Sequence, residues 1–476
     1  MRICLIAEGS YPYVNGGVSS WIHSLITEMQ EHEFIIYAIG AEMKQKGKYK
    51  YTLPPNLIEV KEVFLDEYVY EDKKWGKSYK LSMEEKNNLV SLISGSKDLN
   101  WGKLFDLLSS KKFENVGQFL SSKDYFDLIE FLAEDQYSRV PFTELFWTVR
   151  SMILPLFLTI RHDIPEADLY HAVSTGYAGV IGTLAKHTYQ KPLLLTEHGI
   201  YSREREEEII KADWVKGYFK DLWINHFYTL SNSIYEASDQ VITLFDRNKE
   251  IEVELGCPEE KIRIIPNGVE ISNYSNLQPA VNDNVLRIGA IVRLVPIKDI
   301  KTMIQSFGLV EKELSNVELF ILGPTDEDEI YYKECLQMVS ASGIKRITFT
   351  GMVDVKEYLG KMDIMLLTSI SEGQPLAILE GLASKKPFVV TNVGGCKELI
   401  VGGRGDTYGQ AGFIASVMNY EEIASYILQL CKNKRLRETM GANGFNRVQN
   451  KYKRSSFIAG YRDLYLSVGG SATWQA

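Results

Sequence analysis

The chain has 476 residues, of which 45% are hydrophobic and 24% are charged, and its formal net charge is -9 at pH 7. This composition is ordinary for a folded globular protein, and the length exceeds one compact core, so we expect two or three structural units. The negative charge argues against nonspecific nucleic-acid binding, which depends on a basic surface. The five cysteines are scattered and free of CxxC pairs, which favours a reducing compartment over a disulfide framework.

Short apolar runs alternate with helical patterns along the chain, as in a parallel sheet that is buried on both faces. The first series of runs predicts strands at residues 2–7, 34–38, 169–172, 192–196 and 240–244. A second series predicts strands at 286–290, 317–322, 347–350, 363–368 and 387–391. Two doubly wound α/β domains are the simplest architecture for this order.

Residues from about 62 to 159 interrupt the alternation with acidic, lysine-rich and aromatic helical stretches, which we interpret as an insertion into the first domain. It either binds an acceptor or a partner protein or forms a passive helical cap. Its most apolar stretch, residues 152–160, is shorter than the about 18 to 20 residues that span a bilayer, and Pro155 predicts a break within it. The N terminus has no long apolar region, and together these features predict a cytoplasmic protein.

Two cations follow the first strand of the second series. Arg293 and Lys298 lie between that strand and a helical pattern that begins near Ile300. Open α/β sheets bind ligands at the carboxyl ends of their strands, and fixed Arg and Lys side chains can neutralise a diphosphate leaving group without a metal. The alternative interpretation is a solvated basic loop.

The segment 371–380 leaves one predicted strand and opens a helix, and it carries Glu372 and Glu380 eight positions apart. A loop of this kind presents unpaired backbone N–H groups and the positive end of a helix dipole to an anion such as phosphate. Carboxylates cannot hold a phosphate, so we expect the two glutamates to accept hydrogen bonds from sugar hydroxyls. Either glutamate alone equally fits a structural position, with Glu380 two turns into an amphipathic helix.

Weaker signals lie elsewhere. Gly16 and Gly17 follow the first predicted strand, where a glycine pair either lets the backbone approach a ligand or makes a tight connection. His198 ends the fourth predicted strand, where its imidazole either hydrogen-bonds a sugar hydroxyl or serves a structural purpose. The acidic run 326–329 is typical of a helix start, so we predict no metal site there.

Several motifs together resemble the retaining glycosyltransferases of the GT4 type. They are Arg293 with Lys298, the segment 371–380, and the motifs at 168–171, 196–199, 265–269, 349–351 and 393–398. The resemblance covers nearly the whole chain outside the insertion. It implies the GT-B fold, in which two doubly wound Rossmann-like domains face each other across a cleft. It implies domains at 1–270 and 271–452, with a polar linker at 271–284 and a return helix at about 453–476.

The resemblance also implies an activity, which is transfer of a glycosyl unit from a UDP-sugar with retention at the anomeric carbon and without a metal or cofactor. It implies catalytic roles for Arg293 and Lys298 on the diphosphate, for Glu372 on donor hydroxyls, and for His198 near the reacting face of the sugar. Glu380 would bind the ribose, and the base would lie near Met352 and Val353. The full set of implied donor contacts is Gly16, Gly17, Met352, Val353, Gly373, Gln374, Pro375, Leu376, Ala377 and Glu380.

The segments 7–21 and 197–205 resemble more narrowly the soluble glycosyltransferases of Pel exopolysaccharide synthesis. That resemblance implies a growing polysaccharide as acceptor and membrane subunits of a synthase complex as partners. It implies a cytoplasmic location, with peripheral attachment at the inner face of the plasma membrane as an option. Two alternatives stay open: a sugar-nucleotide epimerase or phosphorylase of the same fold, and a nucleotide-binding subunit without catalytic activity.

Overall fold

The computed structural model describes residues 1–66, 77–110, 112, 113, 115–279 and 283–470. The chain divides into two compact units, each with its own sheet. Unit 1 comprises Met1–Thr243, Lys249–Arg263 and Arg462–Ala476, and unit 2 comprises Leu244–Asn248 and Ile264–Tyr461. Parts of the predicted insertion, linker and return helix, at 67–76, 280–282 and 471–476, lie outside the described residues.

Unit 1 is built on a sheet of seven strands. They are β1 (Arg2–Glu8), β2 (Glu33–Gly40), β3 (Leu57–Phe64), β4 (Leu169–Ala172), β5 (Leu193–Glu197), β6 (Gln240–Thr243) and β7 (Ile262–Ile264), in the order β3-β2-β1-β4-β5-β6-β7. The pairs from β3 to β6 are parallel, and the central strands are buried on both faces, which explains their continuous apolar runs. The predicted strands of this series are confirmed. Strands β3 and β7 escape prediction because exposed polar residues interrupt the apolar pattern at the sheet edges.

The helices of unit 1 show that the insertion belongs to its core. They are α1 (Gly17–Glu28), α2 (Met83–Ser94), α3 (Trp101–Ser109), α4 (Val116–Phe119), α5 (Lys123–Asp135), α6 (Phe142–Ile160), α7 (Gly176–Tyr189), α8 (Tyr201–Lys211), α9 (Lys220–Ala237) and α10 (Asp246–Glu254), whose first residues belong to unit 2. Helices α2 to α6 form the insertion, and their buried side chains join those of the sheet in one hydrophobic cluster. The insertion therefore packs as part of the domain rather than as a separate cap.

Helix α6 corrects one prediction, because the apolar stretch 152–160 does not break at Pro155. The helix runs through this residue and is 19 residues long. Of the described helices, α6 alone has the length and hydropathy of a membrane span, and 61% of its apolar window is buried inside the protein. Leu156 and Phe157 are fully buried. Burial of such side chains outweighs the one helical hydrogen bond that proline removes.

Unit 2 is built on a sheet of six parallel strands. They are β8 (Leu286–Ile291), β9 (Val317–Leu322), β10 (Ile347–Gly351), β11 (Ile364–Leu367), β12 (Phe388–Thr391) and β13 (Gly412–Ala415), in the order β10-β9-β8-β11-β12-β13. The predicted strands of the second series are confirmed, and β13 at the sheet edge was not predicted. The helices are α11 (Ile300–Glu313), α12 (Glu329–Ser342), α13 (Val355–Leu359), α14 (Leu376–Ala383), α15 (Cys396–Ile400), α16 (Tyr420–Lys432), α17 (Lys434–Lys451) and α18 (Arg454–Gly470).

The last helix, α18, contributes residues to both units. In unit 1 the hydroxyl of its Tyr465 lies 2.8 Å from Nδ1 of His171, and the hydroxyl of Thr196 lies 2.8 Å from Nε2 of the same ring. The three side chains are fully buried. Burial lowers the pKa of His171 to about 3, so the imidazole is neutral and has a structural role.

Arg447 is fully buried in unit 2 and ties α17 to the loop after α15. Its guanidinium donates to both carboxylate oxygens of Asp406, at 2.8 and 3.1 Å, and to the carbonyl of Gly409 at 2.6 Å. Burial raises the pKa of Asp406, but the bonds from Arg447 and from the Tyr408 N–H outweigh burial and lower it. The pair is therefore well compensated by hydrogen bonds.

We predict that Arg447→Met destabilises unit 2 by about 3 to 5 kcal/mol, because the buried Asp406 loses its main partner and keeps only the more exposed Lys451, whose Nζ lies 3.5 Å away. Chemical denaturation followed by circular dichroism measures the loss. The Asp406→Asn/Arg447→Met double variant should recover part of it. A carboxyl group with a lowered pKa stabilises the fold above its unfolded pKa, and this contribution disappears as the pH falls. Wild-type stability should therefore decline in acid more steeply than that of the double variant; equal slopes would contradict the assignment.

Glu197 and Glu252 are buried together in unit 1. Glu197 accepts hydrogen bonds from the Tyr235 hydroxyl at 2.5 Å and from the Tyr201 N–H at 3.1 Å. Burial raises the pKa of both carboxyl groups, and the charge of Glu197 raises that of Glu252 further. The folded state therefore binds a proton that the unfolded chain releases at neutral pH.

A raised carboxyl pKa gives stability that is complete below the unfolded pKa and is lost as the pH rises towards the folded pKa. We therefore expect wild-type Tm to fall as the pH rises above about 5, and Glu252→Gln to remove much of this decline. The variant should melt above wild type at about pH 8, while exposed Glu260→Gln should follow wild type. Parallel Tm profiles for wild type and Glu252→Gln would contradict the assignment.

Candidate active site

The predicted cations and acidic segment of unit 2 lie at the carboxyl edge of its parallel sheet. Arg293 follows β8, Lys298 closes a short turn before α11, and Glu372 lies between β11 and α14. The strand order reverses between β8 and β11, so their following loops diverge and leave a crevice. Ligands of doubly wound sheets bind at this point.

Lys298 and Glu372 form an ion pair in this crevice. Nζ of Lys298 lies 2.5 Å from Oε1 of Glu372, and the two side chains are 16% and 10% exposed. The Ser369 hydroxyl donates to the same oxygen at 2.6 Å. The structure thus brings two of the predicted residues together and adds a third that the sequence analysis did not select.

Arg293 has a different partner. Its Nη1 donates to Oε2 of Glu327 at 2.8 Å, and 43% of its side chain is exposed. Glu327 belongs to the acidic run 326–329, and the next residue, Asp328, caps α12 by accepting from the Tyr331 N–H at 2.9 Å. The prediction of a helix start is confirmed there. The exposed guanidinium leaves room for an anionic ligand to compete with Glu327.

The loop between β11 and α14 is held by two neighbouring loops. The N–H of Asn267 donates to Oε1 of Gln374 at 2.6 Å, and the Gly395 N–H donates to the carbonyl of Gly373 at 2.8 Å. At Gly394, with φ of 49°, a Cβ atom would lie 1.9 Å from the Glu372 carbonyl oxygen, so only glycine fits. Asn267 and Gly394 therefore hold the loop between β11 and α14 in place. Both lie in motifs described above, but neither was predicted as a site residue. The Pro-Asn-Gly pattern and the glycine pair are the sequence features that could have indicated them.

The start of α14 offers backbone donors to an anion. Its N-cap is Pro375, which makes no side-chain cap bond. The first N–H groups of a helix, here those of Leu376 and Ala377, have no intrahelical acceptor and lie at the positive end of its dipole. Gln374 is buried, and Asn267 engages both its side chain and its backbone carbonyl, so only its backbone N–H is available to a ligand.

Glu380 lies one turn into α14, rather than the two turns expected, because the helix begins at Leu376. Burial raises the pKa of Glu380, and the nearby Tyr274 hydroxyl and the charge of Lys356 partly offset that rise. Tyr274 was not predicted as a site residue, since it lies in the polar stretch after residue 271.

Met352 and Val353 follow β10, which β9 and β8 separate from β11, and they lie at the same carboxyl edge of the sheet. Met352 is 71% exposed, which leaves an apolar side chain without protein cover. Such a surface can pack against a planar base. Their role in binding a base stays a prediction.

In unit 1, Gly16 and Gly17 lie between β1 and α1. Gly16 has φ of 176°, an extended conformation open to any residue, and a Cβ atom at either glycine would meet nothing within 4 Å. The protein itself therefore does not require glycine at these positions. The sequence suggested another reason for glycine here, which is that the backbone must leave space for an approaching ligand.

His198 follows β5, and its Nε2 is buried without a hydrogen-bond partner among the described residues. Its ring centroid lies 4.8 Å from that of Trp21 in an edge-on arrangement. Burial lowers the pKa of His198 to about 4, so the ring is neutral at pH 7. A neutral imidazole with an unused nitrogen can bind a hydroxyl group.

Within the described residues, no group of three or more His, Cys, Asp and Glu side chains is arranged to hold a metal ion. The five cysteines are buried and free. The site in unit 2 therefore consists of cations, carboxylates and backbone N–H groups. This set can bind the phosphates and hydroxyls of a sugar nucleotide.

Comparisons with known proteins agree with this architecture. Residues 1–260 match a family model described as a domain of unknown function (DUF3492), and residues 283–433 match the model of glycosyl transferases group 1. The capsular polysaccharide biosynthesis glycosyltransferase CapM of Staphylococcus aureus is 27% identical over 297 residues, covering 58% of this chain and 71% of CapM.

Two solved structures share the fold across nearly the whole chain. HepE of Anabaena, crystallised with UDP and glucose, gives a TM-score of 0.60 at 15% identity and covers 98% of this chain and 100% of its own. Sucrose-phosphate synthase from Thermosynechococcus elongatus gives a TM-score of 0.63 at 14% identity, and 99% of each chain is covered.

The protein is therefore a glycosyltransferase with the GT-B fold. This follows from its two parallel sheets, its group 1 domain and its similarity to these relatives. The chain belongs to the family whose N-terminal region is described as a domain of unknown function, DUF3492, and carries a group 1 glycosyl transferase domain after it.

We predict that Gly17→Ala leaves Tm unchanged or slightly raised, because the new methyl group meets open space and alanine favours the helix that begins there. Glycosyl transfer should fall by about 10- to 100-fold if a ligand approaches this backbone. Gly217→Ala is the control, since its Cβ also meets nothing. Full transfer activity in Gly17→Ala would show that no ligand needs this space.

Proposed function

We propose that the protein transfers a hexosyl unit from a UDP-sugar to a growing exopolysaccharide, with retention at the anomeric carbon and without a metal ion. The observation that carries the proposal is the largely buried pair of Lys298 and Glu372 in the crevice between β8 and β11, close to the start of α14 in sequence. A cation beside a carboxylate at that place matches a donor that carries a diphosphate next to sugar hydroxyls.

The leaving group is the diphosphate. As the bond between the anomeric carbon and the β-phosphate oxygen breaks, its electron pair stays on that oxygen, and Lys298 and Arg293 stabilise the growing charge. The N–H groups of Leu376 and Ala377 add further donors, as do Gly16 and Gly17 in the proposal. For Arg293 this requires the diphosphate to replace Glu327 as its partner.

The acceptor hydroxyl forms the new bond to the anomeric carbon on the face that the diphosphate leaves. Its proton passes to the departing phosphate oxygen, so no carboxylate nucleophile from the protein is required. In a retaining glycosidase, by contrast, two carboxylates about 5 to 5.5 Å apart act as nucleophile and acid. Glu372 instead orients donor hydroxyls. His198 forms one hydrogen bond with a hydroxyl group of the sugar.

The remaining donor contacts fall to Glu380 for the ribose hydroxyls and to Met352 and Val353 for the uracil. Three considerations support UDP and a polysaccharide product. HepE was crystallised with UDP and glucose, CapM is a capsular polysaccharide enzyme, and the segments 7–21 and 197–205 resemble PelF of Pel exopolysaccharide synthesis. The proposal places the protein in the cytoplasm, with membrane subunits of a synthase complex as partners.

The test is a panel of UDP-, GDP- and ADP-sugars assayed for nucleotide release with and without a saccharide acceptor. Release of UDP that requires the acceptor, with an NMR spectrum showing the anomeric configuration retained, is the expected result. Turnover without net transfer would indicate the epimerase or phosphorylase alternative. Tight UDP binding without turnover of any sugar nucleotide, even with the membrane partners present, would indicate a non-catalytic subunit.

Arg293→Ala should reduce transfer by about 10²- to 10³-fold, the effect of losing one preorganised charge contact in a transition state. The exposed Arg435→Ala, in α17, is the matched control and should retain activity. Thermal melts verify that both variants fold. Normal transfer by a folded Arg293→Ala protein would remove Arg293 from the mechanism.

A further inference from the structure

The acidic run after β9 lies beside a crevice that is proposed to receive an anion. Strand β9 pairs with β8, so the run adjoins the loop that carries Arg293. Two of its members serve α12, since Asp328 caps the helix and Glu329 pairs with Lys333 one turn later, at 3.4 Å. Glu327 instead contacts the cation, and its Oε2 accepts from Nη1 of Arg293 at 2.8 Å. A carboxylate in this place opposes the binding of an anion, so donor binding alone does not explain it.

The position of Glu327 is set by the packing of two loops. At Gly323, with φ of 153°, a Cβ atom would lie 1.9 Å from the Val292 carbonyl oxygen, so only glycine allows this close approach. The Leu294 N–H donates to the carbonyl of Pro324 at 3.3 Å. The loop after β9 is therefore fastened to the loop after β8 through the backbone, and this arrangement holds Glu327 next to the cation.

The contact between Arg293 and Glu327 is one that a ligand can break. Their side chains are 43% and 32% exposed. The side chains of Lys298 and Glu372, in the same crevice, are only 16% and 10% exposed. Exposed ion pairs are weak because water solvates both charges. A diphosphate can therefore take the guanidinium, while the displaced carboxylate stays on its loop close to the charge of the ligand.

The donor and its nucleotide product differ in charge. In a UDP-sugar both phosphates are esterified, and each carries a single negative charge. Transfer of the sugar leaves UDP with a terminal phosphate whose second ionisation lies near pH 6, which adds about one negative charge at pH 8. A cation such as Arg293 attracts the more highly charged product more strongly, since Coulomb energy scales with charge. For the same reason Glu327 repels the product more strongly, and it offsets that preference.

We propose that Glu327 is a specificity-determining residue of the donor site, which lowers the affinity for UDP more than the affinity for the UDP-sugar. As UDP leaves, the carboxylate returns to Arg293 and takes the place of the phosphate. No bond to Glu327 forms or breaks, so the residue acts on donor binding and product release rather than on the transfer itself. The inference rests on the proposed function and deepens it.

Calorimetry with UDP and with UDP-glucose, or the UDP-sugar selected in the donor screen, tests the proposal at about pH 8 and low salt. Glu327→Gln keeps the shape of the side chain and removes its charge. It should tighten UDP binding by about 5-fold and UDP-sugar binding by about 2-fold, within the range that exposed ion pairs contribute. The inhibition constant of UDP in the transfer assay should fall by the same factor as its dissociation constant. Added salt should reduce both effects, because it screens exposed charges.

Glu329→Gln is the matched control. It removes a charge from the same acidic run, where the side chain pairs with Lys333 on the surface of α12, and it should leave both affinities unchanged. Glu327→Ala removes the amide oxygen that Gln could still offer to Arg293, and it should tighten UDP binding at least as much as Glu327→Gln does. Thermal melts verify that each variant folds.

The outcomes distinguish this inference from the proposed function. If the wild-type protein binds no UDP-sugar, the proposed function fails and the inference with it. If the wild type binds the UDP-sugar and UDP, and the Glu327 variants bind UDP no more tightly, the inference alone is overturned. Tighter binding of both ligands by one common factor would also overturn it, because Glu327 would then compete with phosphate without distinguishing product from donor.

Discussion

The ion pair between Lys298 and Glu372 is the contact on which the unit 2 site depends. It joins the loop after β8 to the loop after β11 at the place where the strand order reverses. Because both side chains are largely buried, removing either one would leave a charge with little water to stabilise it, and such losses are large. In the proposed function, the same pair prepares the crevice for its ligand, since a lysine held beside a carboxylate already lies where the diphosphate is proposed to bind. In that proposal, one contact serves both stability and recognition.

The sequence predicted the centre of each sheet better than its edges. Central strands such as β4 and β12 are buried on both faces, so their apolar runs are continuous and recognisable. In strand β3, Glu and Lys residues interrupt the apolar ones at an exposed sheet edge, so the strand has no continuous apolar run. The prediction at Pro155 was wrong because the local propensity of proline favours a helix break, whereas packing against the surrounding core keeps α6 continuous.

In the candidate site, too, some contacts could be predicted from the sequence and others could not. Lys298 and Glu372 could be predicted to meet, because parallel strands bring the loops at their carboxyl ends together, and the structure places them in contact. Arg293 could not be assigned its partner Glu327 from sequence, since that contact depends on how two loops of one sheet edge pack. The supporting residue Asn267 donates to Gln374, which lies 107 residues further along the chain, and only the folded backbone brings the two together. Pattern analysis finds charged residues near a ligand more readily than the neutral residues that hold them.

Helix α18 limits how the chain can be divided into autonomously folding fragments. A fragment ending before Arg462 would lack Tyr465 and leave one nitrogen of the buried His171 without its hydrogen bond. A fragment beginning at Ile264 would lack Leu244, whose carbonyl accepts from the Gln374 side chain at 3.4 Å. The boundaries of matched sequence domains therefore differ from the boundaries of folding units. Recombinant halves, chimaeras with related enzymes and split reporters built from this protein each need both ends of the polypeptide to complete the first unit.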